Sequence, residues 1–202
     1  MNLSFSTRGW QSLGWDEIIE IAEEMRFSGI ELYNIQKCPE LTEKGCPLHK
    51  YSTAATARNL RERGIKIPCL DSSIDLSVSG NVDPVKELID VAHNLKVPYV
   101  CAVALNDDEE TVKSSVAELV SYAEEVDVVL LIKTSGIYSD TAKLRALMDE
   151  FASDNLGALW DMHHPYRTNG ESADKTIRNL GAYVKHVHLR DSDDEDTYNL
   201  IC

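Results

Sequence analysis

A chain of 202 residues is long enough for one domain with a sizeable core, and its apolar and charged fractions, 43% and 27%, are those of a globular protein. Lys plus Arg number 20 against 34 Asp plus Glu, a formal charge of −14, and no basic cluster offsets it, so a phosphate backbone is an unfavourable partner. No apolar run approaches the roughly 20 residues that span a bilayer, and the opening "MNLSFSTRGW" lacks the basic-then-apolar build of a secretory signal, which predicts a cytoplasmic protein.

Short apolar runs alternate with longer amphipathic ones along the chain. "NLSFS" reads as a first strand, followed by a helix through "WDEIIEIAEEMRF" with apolar residues at helical spacing. "SGIELYN" is a second strand, and "STAATARNLRERG" a second helix stopped by Gly64. "IKIPCLD" is the third strand, after which Asp83 is the expected N-cap and Pro84 the first residue of a helix through "VKELIDVAHNL". "VPYVCAVAL", apolar throughout, predicts a fourth strand buried on both faces.

Asp107 or Asp108 caps the next helix, "EETVKSSVAELVSYAEEV", and "DVVLLIK" is the fifth strand, with a helix in "SDTAKLRALMDEFASD" after it. "LGALWD" is a sixth strand, "SADKTIRNLG" a shorter helix and "VKHVHLRD" a seventh strand. Repeated strand-then-helix units without hairpin signals predict parallel strands joined by right-handed crossovers. No linker rich in Gly, Pro or Ser divides residues 1–202, so they read as a single domain.

Polar residues gather where the strands end: Glu31 and Asn34, Asp71, Lys133, Asp161 and His164, His188 and Asp191. In a (β/α)8 TIM barrel that face holds the active site. A doubly wound open sheet would carry a Gly-rich phosphate loop after its first strand, and "STRGWQSLGW" is not one. The expected fold is therefore an α/β TIM barrel of which this chain supplies about seven strands, truncated before its last βα unit. The five cysteines (Cys38, Cys46, Cys69, Cys101, Cys202) include no CxxC pair. Cys69 and Cys101 fall in apolar strands as small core residues, and Cys38 and Cys46, which could pair or bind metal, are read as reduced thiols.

"LLIKTSGIYSDT", "ALWDMHHPYRTNGES" and "YVKHVHLRDS" resemble the sugar phosphate isomerase/epimerase superfamily of xylose isomerase-like TIM barrels. That resemblance implies a divalent ion (Mn, Mg, Co or Zn) over the barrel mouth, bound by Glu, Asp, His and Glu from strands five to eight. By position Asp161 and His188 would be two of the metal ligands, and His164 the histidine on substrate oxygens. The ion would polarise a carbonyl or hydroxyl of a sugar or polyol next to the carbon whose proton moves. Arg167, Glu31 and His186 are candidate substrate-binding residues; His186 and His188 share a strand face, with Val187 opposite.

Two positions depart from that pattern. Lys133 stands where the relatives carry the strand-five Glu, a cation that would repel a nearby ion, and a strand-eight Glu would fall beyond Cys202. An ion pair with Glu31 is one reading of Lys133; a desolvated amine of lowered pKa, acting as base or nucleophile, is another. The plainer reading of Asp161, His163 and His164 is a polar strand end with hydrogen-bonded loop residues. Three functions follow: a metal-assisted sugar or polyol isomerase/epimerase; a catalytically inactive barrel that binds a sugar or a partner protein; and an endonuclease IV-like nuclease, which the charge of −14 opposes.

Overall fold

The computed structural model describes residues 2–10, 12–33, 46–49, 51–192 and 198–199. The expected positions Asn34, Cys38 and Cys202 lie outside them. The strands β1 (Ser4–Ser6) and β2 (Gly29–Glu31) run parallel in register Ser4↔Gly29 to Ser6↔Glu31. A five-stranded parallel sheet follows in chain order: β3 (Cys69–Asp75), β4 (Tyr99–Val103), β5 (Val129–Lys133), β6 (Leu156–Asp161) and β7 (Val184–His188). Parallel bridges Gly29↔Lys66 and Leu32↔Leu70 join β2 to the β3 segment, so the seven strands form one continuous arc. Among the described residues β7 does not pair with β1, and the barrel is not closed. The short strands β8 (Asp191–Ser192) and β9 (Tyr198–Asn199) pair antiparallel beyond it.

The helices are α1 (Trp15–Glu24), α2 (Thr53–Glu62), α3 (Val82–Leu95), α4 (Glu109–Val126), α5 (Thr141–Phe151), α6 (His163–Asn169) and α7 (Ala173–Leu180). Their apolar stripes cover the outer face of the arc. Ile18, Ile19, Val85, Ile89, Val116, Leu119, Leu144 and Met148 close against Ile30, Leu70, Val100, Leu130 and Ile132 as one buried core. The alternate strand residues Cys69, Cys101, Leu131 and Leu159 point to the concave side and form a second cluster with Tyr99 and Val129. Burial on both faces is why β4 and β5 read as unbroken apolar runs.

Three local readings are corrected. The third strand starts at Cys69 rather than Ile65, because Pro68 has no N–H to give the ladder. The helix α3 starts at Val82 behind Asn81, not behind Asp83; Pro84 still falls in the first turn, where a missing N–H costs no intrahelical bond. Residues His163 to Asn169 form a helix instead of a loop. The expected cap at Asp108 is present, its carboxylate accepting from the Thr111 N–H at 3.1 Å. Of the thiols, Cys69 and Cys101 are free and buried, whereas Cys46 is disulfide-bonded, which corrects its reading as reduced.

One glycine is sterically required near the strand ends. Gly136 has φ +58, and a Cβ there would lie 2.0 Å from the Ala104 carbonyl oxygen. The chain leaving β5 crosses that closely over the exit of β4, and no side chain fits between them.

Candidate metal and substrate site

The polar strand ends form three groups on the concave face. The first spans the arc. Glu31, the last residue of β2, is 1% exposed, and its Oε2 lies 2.9 Å from His186 Nε2 and 2.7 Å from His188 Nε2. In sheet order β2 and β7 are five strands apart, so this contact exists only because the arc curls and brings them face to face. His186 and His188 reach the same oxygen because residues two apart on a strand share a face. Burial of Glu31 would raise its pKa, but the hydrogen bonds and positive charge of the two imidazoles outweigh it and hold the carboxyl well below the usual range. The other oxygen, Oε1, is buried with no hydrogen-bond partner among the described residues.

The second group is an ion pair. Lys133 Nζ lies 2.6 Å from Asp71 Oδ2, with side chains 4% and 0% exposed. The Ser73 N–H and hydroxyl donate to Asp71 Oδ1, and the half-exposed Arg8 guanidinium stands 3.8 Å from Oδ2. The partner of Lys133 is therefore Asp71, not Glu31. Burial opposes the ammonium charge, but the charge of Asp71 and its hydrogen bond outweigh it and raise the lysine above its ordinary value. Burial also pushes the Cys101 thiol well up, so it is protonated at neutral pH and Asp71 is the operative anion. The reading of Lys133 as an amine of lowered pKa is overturned; it is a fixed cation.

The third group surrounds Asp161. The hydroxyl of Thr134, just past β5, joins the backbone of Asp161 at 2.9 Å from its nitrogen, and Met162 N–H donates to the His188 carbonyl at 3.2 Å. These bonds lock the ends of β5, β6 and β7 together. Asp161 Oδ1 accepts from Arg190 Nε at 3.1 Å and from the His163 N–H at 3.2 Å, and Arg190 Nη2 lies 3.1 Å from Oδ2. The same Nη2 donates to His164 Nε2 at 2.7 Å. Burial, reinforced by Arg190, His163 and Lys133 against the opposing charge of Asp161, lowers the His164 pKa to about 4. His164 is thus neutral at pH 7, as its acceptor role toward arginine requires.

The structure brings together Glu31, His186 and His188, and separately Asp161 and His164; Arg167 stands exposed on α6. Asp161 and His188, the expected ligand pair, are register partners on neighbouring strands. Their carboxylate and imidazole are turned to different neighbours, Arg190 and Glu31. Arg190 escaped the sequence reading, as did the pairing of Asp71 with Lys133. Arg190 follows His188 by two in an extended segment, the spacing that had placed His186 and His188 on one face. Asp71 was visible as a strand-end acid, and a buried Lys133 requires an anion.

The chain belongs to the xylose isomerase-like TIM barrel family, whose sequence signature matches residues 15–200. No curated protein matches it. Among solved structures it is similar to 3-keto-D-glucoside 4-epimerase YcjR from E. coli in its apo form, with TM-score 0.78 and 12% identity over 95% of this chain and 79% of that one. The IOLI protein with a binding zinc atom gives TM-score 0.78 and 20% identity, over 96% and 74% of the two chains. A xylose isomerase-like TIM barrel protein from Mycobacterium smegmatis in complex with magnesium gives 0.73 and 14%, over 98% and 79%. At these identities the likeness establishes the fold.

A divalent ion suits the residues present. Glu31, His186 and His188 offer three ligand atoms within 4.8 Å of one another, a carboxylate with two imidazoles is a donor set that borderline divalent ions accept, and the buried Oε1 has no hydrogen-bond partner among the described residues.

Proposed function

We propose that this chain is a single-domain sugar or polyol isomerase/epimerase-type protein that moves a proton next to a substrate carbonyl at the strand C-terminal face. The observation that carries the reading is the convergence there of Glu31, His186 and His188, Lys133 with Asp71, and Asp161 with Arg190 and His164. A divalent ion bound at this face would polarise the carbonyl or an adjacent hydroxyl.

The chain's own residues divide the remaining work. Neutral His164, its Nε2 held by Arg190, turns its other ring nitrogen to a substrate hydroxyl without the desolvation cost of a charged group. Lys133, buried and paired with Asp71, ties the ends of β5 and β3 together at this face. Arg167 contacts an anionic substituent such as a phosphate, and Asp161 orders Arg190 and His164 from below. The charge of −14 weighs against nucleic acid as the partner.

Deuterium exchange tests the reading. Candidate keto-sugars incubated in D2O with Mn2+ and the protein should gain deuterium at the carbon beside the carbonyl, read by NMR, and Asp161→Ala should abolish the exchange. Unchanged exchange in that variant rejects the assignment.

A second reading, sugar binding without turnover, is favoured by one observation. Lys133 stands buried and neutralised by Asp71 where the resemblance calls for a ligand Glu. Saturable sugar binding by calorimetry with no exchange in D2O would select it.

A further inference from the structure

We propose that the divalent ion of this chain is held by Glu31, His186 and His188, across the interior from β2 to β7, and not by Asp161 with His188. Of the strand-end carboxylates Glu31, Asp71 and Asp161, two are already committed. Asp71 is bound to the Lys133 ammonium at 2.6 Å, and Asp161 to the Arg190 guanidinium through both oxygens at 3.1 Å. An ion at either would have to displace a fixed cation or sit beside it, at a Coulomb cost. Glu31 has two imidazole nitrogens at hydrogen-bond distance, whereas Asp161 has His164 Nε2 at 3.9 Å. Both imidazoles present Nε2 to it, and its Oε1 is buried and unpartnered among the described residues.

The geometry is close to a coordination sphere. Ligand atoms about 2.1 Å from a tetrahedral ion lie roughly 3.4 Å from one another. The two separations from Glu31, 2.9 and 2.7 Å, would open by about 0.5–0.7 Å on loading, with all three ligand atoms within 4.8 Å of one another and both imidazoles exchanging an Nε2–H for a lone pair. The His186 and His188 rings are 5.4 Å apart and nearly perpendicular, at 79°, so they approach a common point from different directions. One carboxylate and two imidazoles leave at least one coordination position for a substrate oxygen, as in catalytic rather than structural sites. Zn2+ or Co2+ suits this donor set. The use of the ion in turnover rests on the isomerase reading, but its location does not, so the test reads binding directly.

The full chain, stripped with a chelator, is titrated with Co2+ under visible absorption and with Zn2+ by calorimetry. We expect one equivalent bound, with a d–d spectrum free of the thiolate charge-transfer band that the cysteines would produce. Glu31→Gln and His186→Asn should each weaken binding by more than the roughly 10–100-fold that even outer hydrogen-bond partners of a metal site cost. Asp161→Asn should retain the ion. Thermal melts without metal establish that each variant folds, and two independent ligand variants guard against one that does not. Loss of the ion in Asp161→Asn with retention in Glu31→Gln and His186→Asn would overturn the proposal, as would a thiolate spectrum or no Co2+ bound at micromolar concentration. None of these readouts requires an active enzyme, so absence of sugar turnover with the ion bound at Glu31 would reject only the isomerase reading.

Discussion

Breaking the Asp71–Lys133 pair should be among the most damaging single changes in this chain. At 2.6 Å and an effective dielectric of about 20, two unit charges attract by roughly 6 kcal/mol before desolvation is subtracted. Asp71→Asn leaves the Lys133 ammonium, 3% exposed, without its anion, and removing one partner of a buried pair costs about 3–5 kcal/mol. Lys133→Met leaves a carboxylate that still has the Ser73 donors and Arg8 at 3.8 Å, so about 1–3 kcal/mol is expected. The double variant removes both charges and should cost no more than about 1–2 kcal/mol, far below the sum of the singles. For a domain of this size Asp71→Asn then lowers Tm by about 6–20 °C. Urea unfolding of the four proteins measures the coupling. If the single effects add to within about 0.5 kcal/mol, the pair does not exist in solution and the account of Lys133 as a fixed cation fails.

Three further outcomes are expected. Metal removal should lower stability: at a hundredfold excess over Kd, bound Zn2+ contributes about 2.7 kcal/mol, roughly 5–11 °C in Tm, and scanning calorimetry with and without chelator should show the difference in the parent and not in Glu31→Gln. Glu171 is buried among Thr141, Thr176 and Lys175; burial would raise its pKa, and hydrogen bonds from the two threonines and Lys175 bring it below the ordinary value. A depressed folded-state pKa stabilises above the unfolded value of about 4.3 and is lost as pH falls through the folded one, so Glu171→Gln should flatten the acid limb of stability measured from pH 6 to 3. Ala152 ends α5 with φ +46; a left-handed alanine costs about 1–2 kcal/mol and glycine's extra chain entropy about 0.5–1, so Ala152→Gly should raise stability by about 0.5–1 kcal/mol, read as an upward shift in the urea midpoint.

Much of the architecture follows from periodicity. The alternation of apolar runs with amphipathic helices specifies parallel strands, because only crossovers connect them, and unbroken apolarity in β4 and β5 specifies burial on both faces. Local spacing placed His186 and His188 on one face and the Asp108 cap on α4, since both depend on residues within one element. Polar strand ends marked one face of the arc for the same reason. Local signals failed where a tertiary contact competed with them. The start of α3 moved to Val82, with Asn81 instead donating its side-chain amide to the Asp75 carbonyl at 2.8 Å. The segment after β6 became a helix when Arg190 and Asp161 fixed its first turn.

The partners within the site were decided by the tertiary structure alone. Glu31 meets His186 and His188 across 155 and 157 residues of chain, a contact set by how far the arc of strands curls and not by any pattern along it. Lys133 could have paired with any strand-end acid, and its choice of Asp71 over Glu31 depends on which side chains the curvature leaves within reach. Sequence determined the kind of face this protein presents, through periods of two and 3.6 residues that hold wherever an element forms. Which carboxylate is left for a metal ion was decided by folding, because burial forces each charge to find a counter-charge and only the assembled arc sets the distances between them.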